Sequence, residues 1–191
     1  MFPLANNGFY KPYGLSEQNN FNNSHYPGEN YYYGKIVYEA SPLNRPQVTY
    51  SPGSSWMGGD RGVSLDYLGN TESDTVQIWN IGFALGSLPV NAGVYAEGEL
   101  FKNTTTDEQG HQTVEYKDKE GHVVLKKVQL WDVPAEGSSG WLCTYYVYDD
   151  LNNLRFVISP KAVEWLSSNG WNFATSGGDQ VASELCFSYR V

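Results

Sequence analysis

The chain has three imidazoles, His25, His111 and His122, and an imidazole performs acid–base or metal chemistry only with a second group held beside it. His111 and His122 each follow an Asp-x-x-Gly step (Asp107 to Gly110, Asp118 to Gly121), where a polar, solvent-facing residue at the start of a return strand is the ordinary expectation. Asp149, Asp150, Asn152 and Asn153 bunch like a calcium loop, but the central Gly and the distant bidentate Glu of an EF-hand are missing, so turn capping is the expected role. No Gly-x-Ser-x-Gly elbow, His-Glu-x-x-His helix, P-loop or Cys-x-x-Cys pair occurs. The 21 Asp and Glu residues single out no glycosidase pair. The expectation is a protein that is no enzyme, with no catalytic, metal-binding or cofactor-binding residue and no cofactor.

The aromatic residues offer a different chemistry. Trp56, Trp79, Trp131 and Trp141, with Tyr31 to Tyr33, Tyr145 and Tyr148, could stack on sugar rings in a carbohydrate-binding or adhesive surface module. Against that stands cross-strand aromatic packing, which stabilises sheets by roughly 0.2–1 kcal/mol per pair and is the expected use.

Whatever positions these groups is rich in β structure. Tyr 15, Trp 6 and Phe 8 beside Gly 20, with 17% charged residues, suit short aromatic strands between Gly-bearing turns. A net charge of −9 with 12 Lys and Arg supplies little cation for phosphates or anionic lipid, so neither nucleic acid nor membrane insertion is expected. The start Met1-Phe2-Pro3-Leu4 has no signal-peptide pattern, and no run approaches 18 apolar residues; the chain as it stands is expected to be soluble. Cys143 and Cys186 fall in apolar strand-like stretches and are expected to be reduced, buried thiols.

Residues 1–30 carry seven Asn and three Pro without apolar periodicity and read as an irregular, Asn-rich arm laid on a surface. Residues 31–191 read as one β-rich domain. Strands are expected at 31–38, 46–50, 74–81, 94–101, 111–117, 122–131, 141–148, 153–158 and 184–190. One short helix is expected near 160–169, with Ser159 as cap, Pro160 at the first position, and Asn169-Gly170 as the stop. The fold class is therefore all-β, mainly antiparallel hairpins with that one helix.

A short pattern recurs at Ser41-Pro-Leu-Asn44, Asp66-Tyr-Leu-Gly69, Asp107-Glu-Gln-Gly110, Asp118-Lys-Glu-Gly121 and Asp149-Asp-Leu-Asn152. Asp or Ser at the first place can accept bonds from backbone N–H groups two residues on. Gly or Asn at the fourth tolerates the left-handed conformation that closes a type I turn and opens the return strand. These ten residues are expected to shape hairpins.

At these turns the chain resembles the Rhs/YD-repeat family. Tyr146-Val-Tyr148-Asp149-Asp-Leu-Asn152-Asn153-Leu154-Arg-Phe-Val157 is similar to the repeat Tyr-x-Tyr-Asp-x-x-Gly-Arg-Leu-x-x-Val, with Asn152-Asn153 where the family has Gly-Arg. Tyr116-Lys-Asp118-Lys-Glu-Gly121-His122-Val-Val is a looser copy. Ser41-Pro-Leu-Asn44-Arg45 with Pro52-Gly53-Ser-Ser-Trp56 resembles the region preceding the repeats in Rhs-type proteins of Bacteroidetes, and the resemblance covers most of 31–191. It implies a curved sheet forming part of a hollow shell around a C-terminal toxin or effector cargo. This chain would then be a non-catalytic segment of a longer, secreted or cell-surface protein, and its partners would be further repeats of the same polypeptide and the cargo. Glu184 to Val191 reads as half of a further hairpin, from which weak self-association, or else capping of that edge by the Asn-rich residues 1–30, is expected.

Overall fold

The computed structural model describes residues 12–135 and 137–189, with side chains from Glu17 onward. Residues 1–11, 190 and 191, which belong to the expected arm and to the end of the expected last strand, lie outside the described residues. The chain divides into two compact units, one up to Val63 and one from Ser64, whereas the sequence reading draws its boundary after residue 30.

In the first unit the arm is not irregular throughout: Pro12–His25 is a helix, α1. Proline suits a first helical turn. One turn apart, Gln18 donates to Asn22 (2.9 Å) and the Phe21 and His25 rings stack at 4.0 Å, pairs that support a helix whose composition alone does not announce it. Pro27 and Gly28 follow, the latter at φ 86°. The strands β1 (Lys35–Tyr38) and β2 (Pro46–Tyr50) then form an antiparallel hairpin.

Glu29 organises the rest of this unit. Its carboxylate accepts bonds from the N–H groups of Asn30 (2.8 Å), Tyr31 (2.7 Å) and Ser54 (2.8 Å) and from the Ser54 hydroxyl (2.7 Å). Those donors, with Ser54 foremost, hold its pKa down at about 2. Glu39, held to about 2 by Arg45 and Ser41, clamps the β1–β2 turn through a two-pronged bond to the Arg45 guanidinium at 2.8 and 2.9 Å.

The second unit is an antiparallel sheet in the order β3 (Val63–Gly69), β6 (Phe101–Thr106), β7 (Gln112–Lys117), β8 (Val123–Gln129), β9 (Trp141–Tyr148), β10 (Leu154–Ile158) and β11 (Cys186–Ser188). From β6 onward, order in space follows order in sequence. Between β3 and β6 the chain leaves this sheet for a 3-10 turn at Glu72–Asp74 and a separate ribbon of β4 (Gln77–Asn80) and β5 (Val90–Val94). Asn70 fastens both ends of the excursion, donating to the Ala96 carbonyl (2.8 Å) while its Oδ1 accepts from Leu100 N–H (2.8 Å).

The ladder fixes which residues share a face, because residues directly opposite in an antiparallel pair point the same way. One row runs Leu68, Lys102, Tyr116, Leu125, Tyr145, Ile158, Cys186, and its neighbour runs Asp66, Thr104, Val114, Lys127, Cys143. This face carries the core. Tyr116, Leu125, Tyr145 and Ile158 are buried with Val76, Trp79 and Phe173 and with Ala162, Val163 and Leu166 of the helix α2 (Pro160–Ser168). Each fully buried aliphatic side chain of this kind contributes about 1.5–3 kcal/mol.

The antiparallel β class is as expected, and α2 begins at Pro160 after Ser159, but two helices were not foreseen. Besides α1 there is α3 (Gly178–Leu185), whose last residues the sequence reading assigns to a strand; Val181, Ala182 and Leu185 lie on the side packed into the core, an i, i+1, i+4 pattern too short to stand out. β3 and β5 were likewise not foreseen, and the strand expected at 94–101 spans the connection between β5 and β6.

Candidate functional site

Four of the five recurrent steps are hairpin ends. In the β1–β2, β6–β7, β7–β8 and β9–β10 connections the fourth residue donates its N–H to the carbonyl of the first: Asn44 to Ser41 (3.1 Å), Gly110 to Asp107 (3.0 Å), Gly121 to Asp118 (3.1 Å) and Asn152 to Asp149 (2.9 Å). Those fourth residues have φ of 49°, 93°, 92° and 64°. The first side chain then binds the turn from within: Asp107 Oδ1 accepts from Gln109 and His111 N–H, and Asp149 Oδ1 from Leu151 and Asn153 N–H. The fifth step is a correction. Asp66 and Gly69 lie inside β3, opposite Thr104 and Phe101 in a ladder of six residue pairs, and six cross-strand pairs outweigh the local preference of one Asp and one Gly.

Two of the three histidines serve these turns. His111 and His122 stand 3.3 and 3.1 Å from the carboxylates of Asp107 and Asp118, and the His122 ring lies 4.7 Å from that of Tyr148. Asp149 is buried and committed to Asn153, Leu151 and Arg155. Burial pushes its carboxyl up, but the bonds from Asn153, Leu151 and Arg155 outweigh that and leave it below the usual range. Among the described residues no group of three His, Cys, Asp or Glu could hold a metal.

The four tryptophans do not form one platform. Trp79 is buried, its ring 6.1 Å from Tyr145, 6.4 Å from Trp171 and 5.9 Å from Phe173, so the stacking role suggested for it is overturned. Trp56, in the first unit, is half-buried, with the Arg61 guanidinium 5.1 Å above its ring. Exposed Trp131 and half-buried Trp141 line one cleft of about 460 Å³ beside α2.

A second cleft, of about 390 Å³, opens on the core face of the sheet where β3, β6, β7 and β8 meet Pro134, Ala135 and Gly137. Charge is concentrated in its wall. Asp74 accepts from Lys102 Nζ and the Tyr116 hydroxyl, both at 2.7 Å, and from Thr71 N–H at 2.8 Å. Burial raises the Asp74 carboxyl, yet Lys102, Thr71 and Tyr116 together bring it below its ordinary value. Burial and the Asp74 carboxylate push the Tyr116 hydroxyl far up.

Lys127 completes the wall and is 4% exposed. Its Nζ stands 5.8 Å from the centre of the Tyr116 ring and 5.2 Å from that of Trp141, and among the described residues it makes neither an ion pair nor a hydrogen bond. Burial lowers its pKa, partly offset by the Cys143 and Asp74 charges. Its β9 neighbour Cys143 has its thiol pushed up to about 11 by burial.

The sequence reading passed over this cluster, although one signal was available. In Val123-Val-Leu-Lys-Lys-Val-Gln129 a period of two puts Lys127 on the face of Leu125, a cation where an apolar residue is due. Asp74 and Lys102 could not be joined to it without knowing that the chain returns through β6. A family model described as a domain of unknown function, DUF6443, matches residues 2–69. No curated protein and no solved structure matches the chain.

Proposed function

We propose that this chain is a non-catalytic structural segment of an Rhs/YD-type shell, part of a wall that encloses or presents a C-terminal toxin or effector polypeptide. The observation that carries the reading is the same Asp- or Ser-capped hairpin end in four connections, three of which join strands of the β6 to β10 meander, an arrangement that further copies of the unit could lengthen strand by strand. The acids Asp107, Asp118 and Asp149 and the two imidazoles of these turns are engaged with their own backbone and neighbours, which suits scaffolding. In this reading further repeats and the cargo are the partners, and the full-length protein works outside the cell or at its surface.

The test is to express the chain together with the polypeptide encoded after it and to digest the product with a non-specific protease. A shell leaves the downstream segment intact and holds it after the linking peptide is cut. Digestion of that segment at the rate of the isolated segment overturns the proposal.

A second reading, a carbohydrate-binding or adhesive module, is supported by Trp131 and Trp141 lining one cleft. Retention on immobilised glycans that Trp131→Ala abolishes would favour it over the wall.

A further inference from the structure

Lys127 is the least expected residue of the second unit. It is 4% exposed and its ammonium, which no protein acceptor bonds among the described residues, faces the cleft; such a group gives up part of its hydration, and two aromatic rings at 5.8 and 5.2 Å replace only some of what is lost. The obvious counterion, Asp74, is spent: Lys102, Tyr116 and Thr71 occupy its oxygens. Lys102 and Asp74 cancel, so the inner wall keeps one positive charge. Exposed Asp66 stands at the cleft's rim and, with Asp74, disfavours a dianion. Thr104 and Gln112 add hydroxyl and amide groups to the wall, and Trp141 a flat apolar surface.

We propose that this cleft binds a small carboxylate of about monosaccharide size, its anion on Lys127 and its body against Trp141. The volume of about 390 Å³ falls within the range for small-molecule sites. A single buried ammonium with acids at its flanks selects a monoanion over phosphate, and the polar wall favours a hydroxylated body. The site is independent of the wall reading, since it uses no turn residue and needs no partner chain.

Glucuronate is the probe, with glucose and inorganic phosphate for comparison, read by calorimetry and by the NMR signal of the Trp141 indole N–H, which donates to the Ala135 carbonyl at the cleft's edge (3.1 Å). Glucuronate should bind with a dissociation constant on the order of 1 mM and move that signal, while glucose and phosphate bind at least about tenfold more weakly. Lys127→Met, which keeps length and removes charge, should fold and lose at least about tenfold in affinity. Trp131→Ala, outside this cleft, should bind as the parent does. The proposal is overturned if glucuronate leaves the Trp141 signal of the parent protein unmoved, if glucose or phosphate binds as well, or if Trp131→Ala and not Lys127→Met removes binding.

Discussion

Gly121 and Asn152 occupy the same place in two hairpins, at φ 92° and 64°, and comparing them separates backbone from packing. A Cβ at Gly121 would meet nothing within 4 Å, so a substitution there meets only the strain of the left-handed conformation. Gly121→Val should lower stability by about 1–3 kcal/mol, whereas Gly121→Asn should cost less than about 1 kcal/mol because Asn tolerates that region. Urea unfolding of the two variants measures both, and equal losses would show that the turn conformation is not what the glycine supplies. Gly178 is the opposite case. Its φ is not positive, but an added Cβ would lie 1.8 Å from the Phe173 carbonyl oxygen, so Gly178→Ala must displace backbone under α3. The loss should exceed that of Gly121→Val in the same unfolding experiment. The thiols belong to this scale as well: Cys143 and Cys186 are both free, and burial pushes each up to about 11. Both should label slowly at neutral pH, Cys186 before the more deeply buried Cys143.

At the scale of elements, the first unit depends on two carboxylates whose folded pKa values are about 2. An ordinary glutamate titrates near 4.3 when unfolded. A depressed folded pKa contributes stability that is fully present above the unfolded value and is lost as pH falls through the folded one. Hydrogen-exchange protection of the Ser54 and Tyr31 N–H groups, both bonded to Glu29, should therefore decline between about pH 4.3 and pH 2, and Glu29→Gln should flatten that decline. These elements also show what a sequence can reveal. β9 and β10 are aromatic and apolar runs on either side of an unambiguous turn, and α2 has a start, a stop and an apolar side, so each is visible locally. α1 is a helix rich in Asn and Ser with one Gly, poor formers singly, and its supporting pairs appear only once the helical spacing is assumed. β3 hides behind an Asp-x-x-Gly step because the strand that holds it flat, β6, lies some thirty residues further on. The cleft is less legible still: Lys127 breaks an alternation, but Asp74 and Lys102 reach it through long-range pairing that no local pattern encodes.

For the whole molecule, what matters is where the sheet ends. Among the described residues β11 pairs with β10 alone, and Phe187 and Tyr189 beside this edge are 61% and 48% exposed. An edge of this kind presents unpaired N–H and C=O groups flanked by aromatic surface and is a template for another strand. In the wall reading the next hairpin of the longer polypeptide would take that place; without it a second copy can. Sedimentation velocity should therefore show weak, concentration-dependent self-association of the chain. Phe187→Lys puts a charge on the edge, which disfavours edge-to-edge pairing without touching the core, and should shift the distribution to monomer with little change in unfolding midpoint. Adding the next hairpin should do the same and raise the midpoint, because it buries the edge and its aromatic surface within one chain. A monomer at every concentration, with a midpoint indifferent to the added hairpin, would mean that β11 is a protected terminus, and the extension of this sheet into a wall would lose its structural basis.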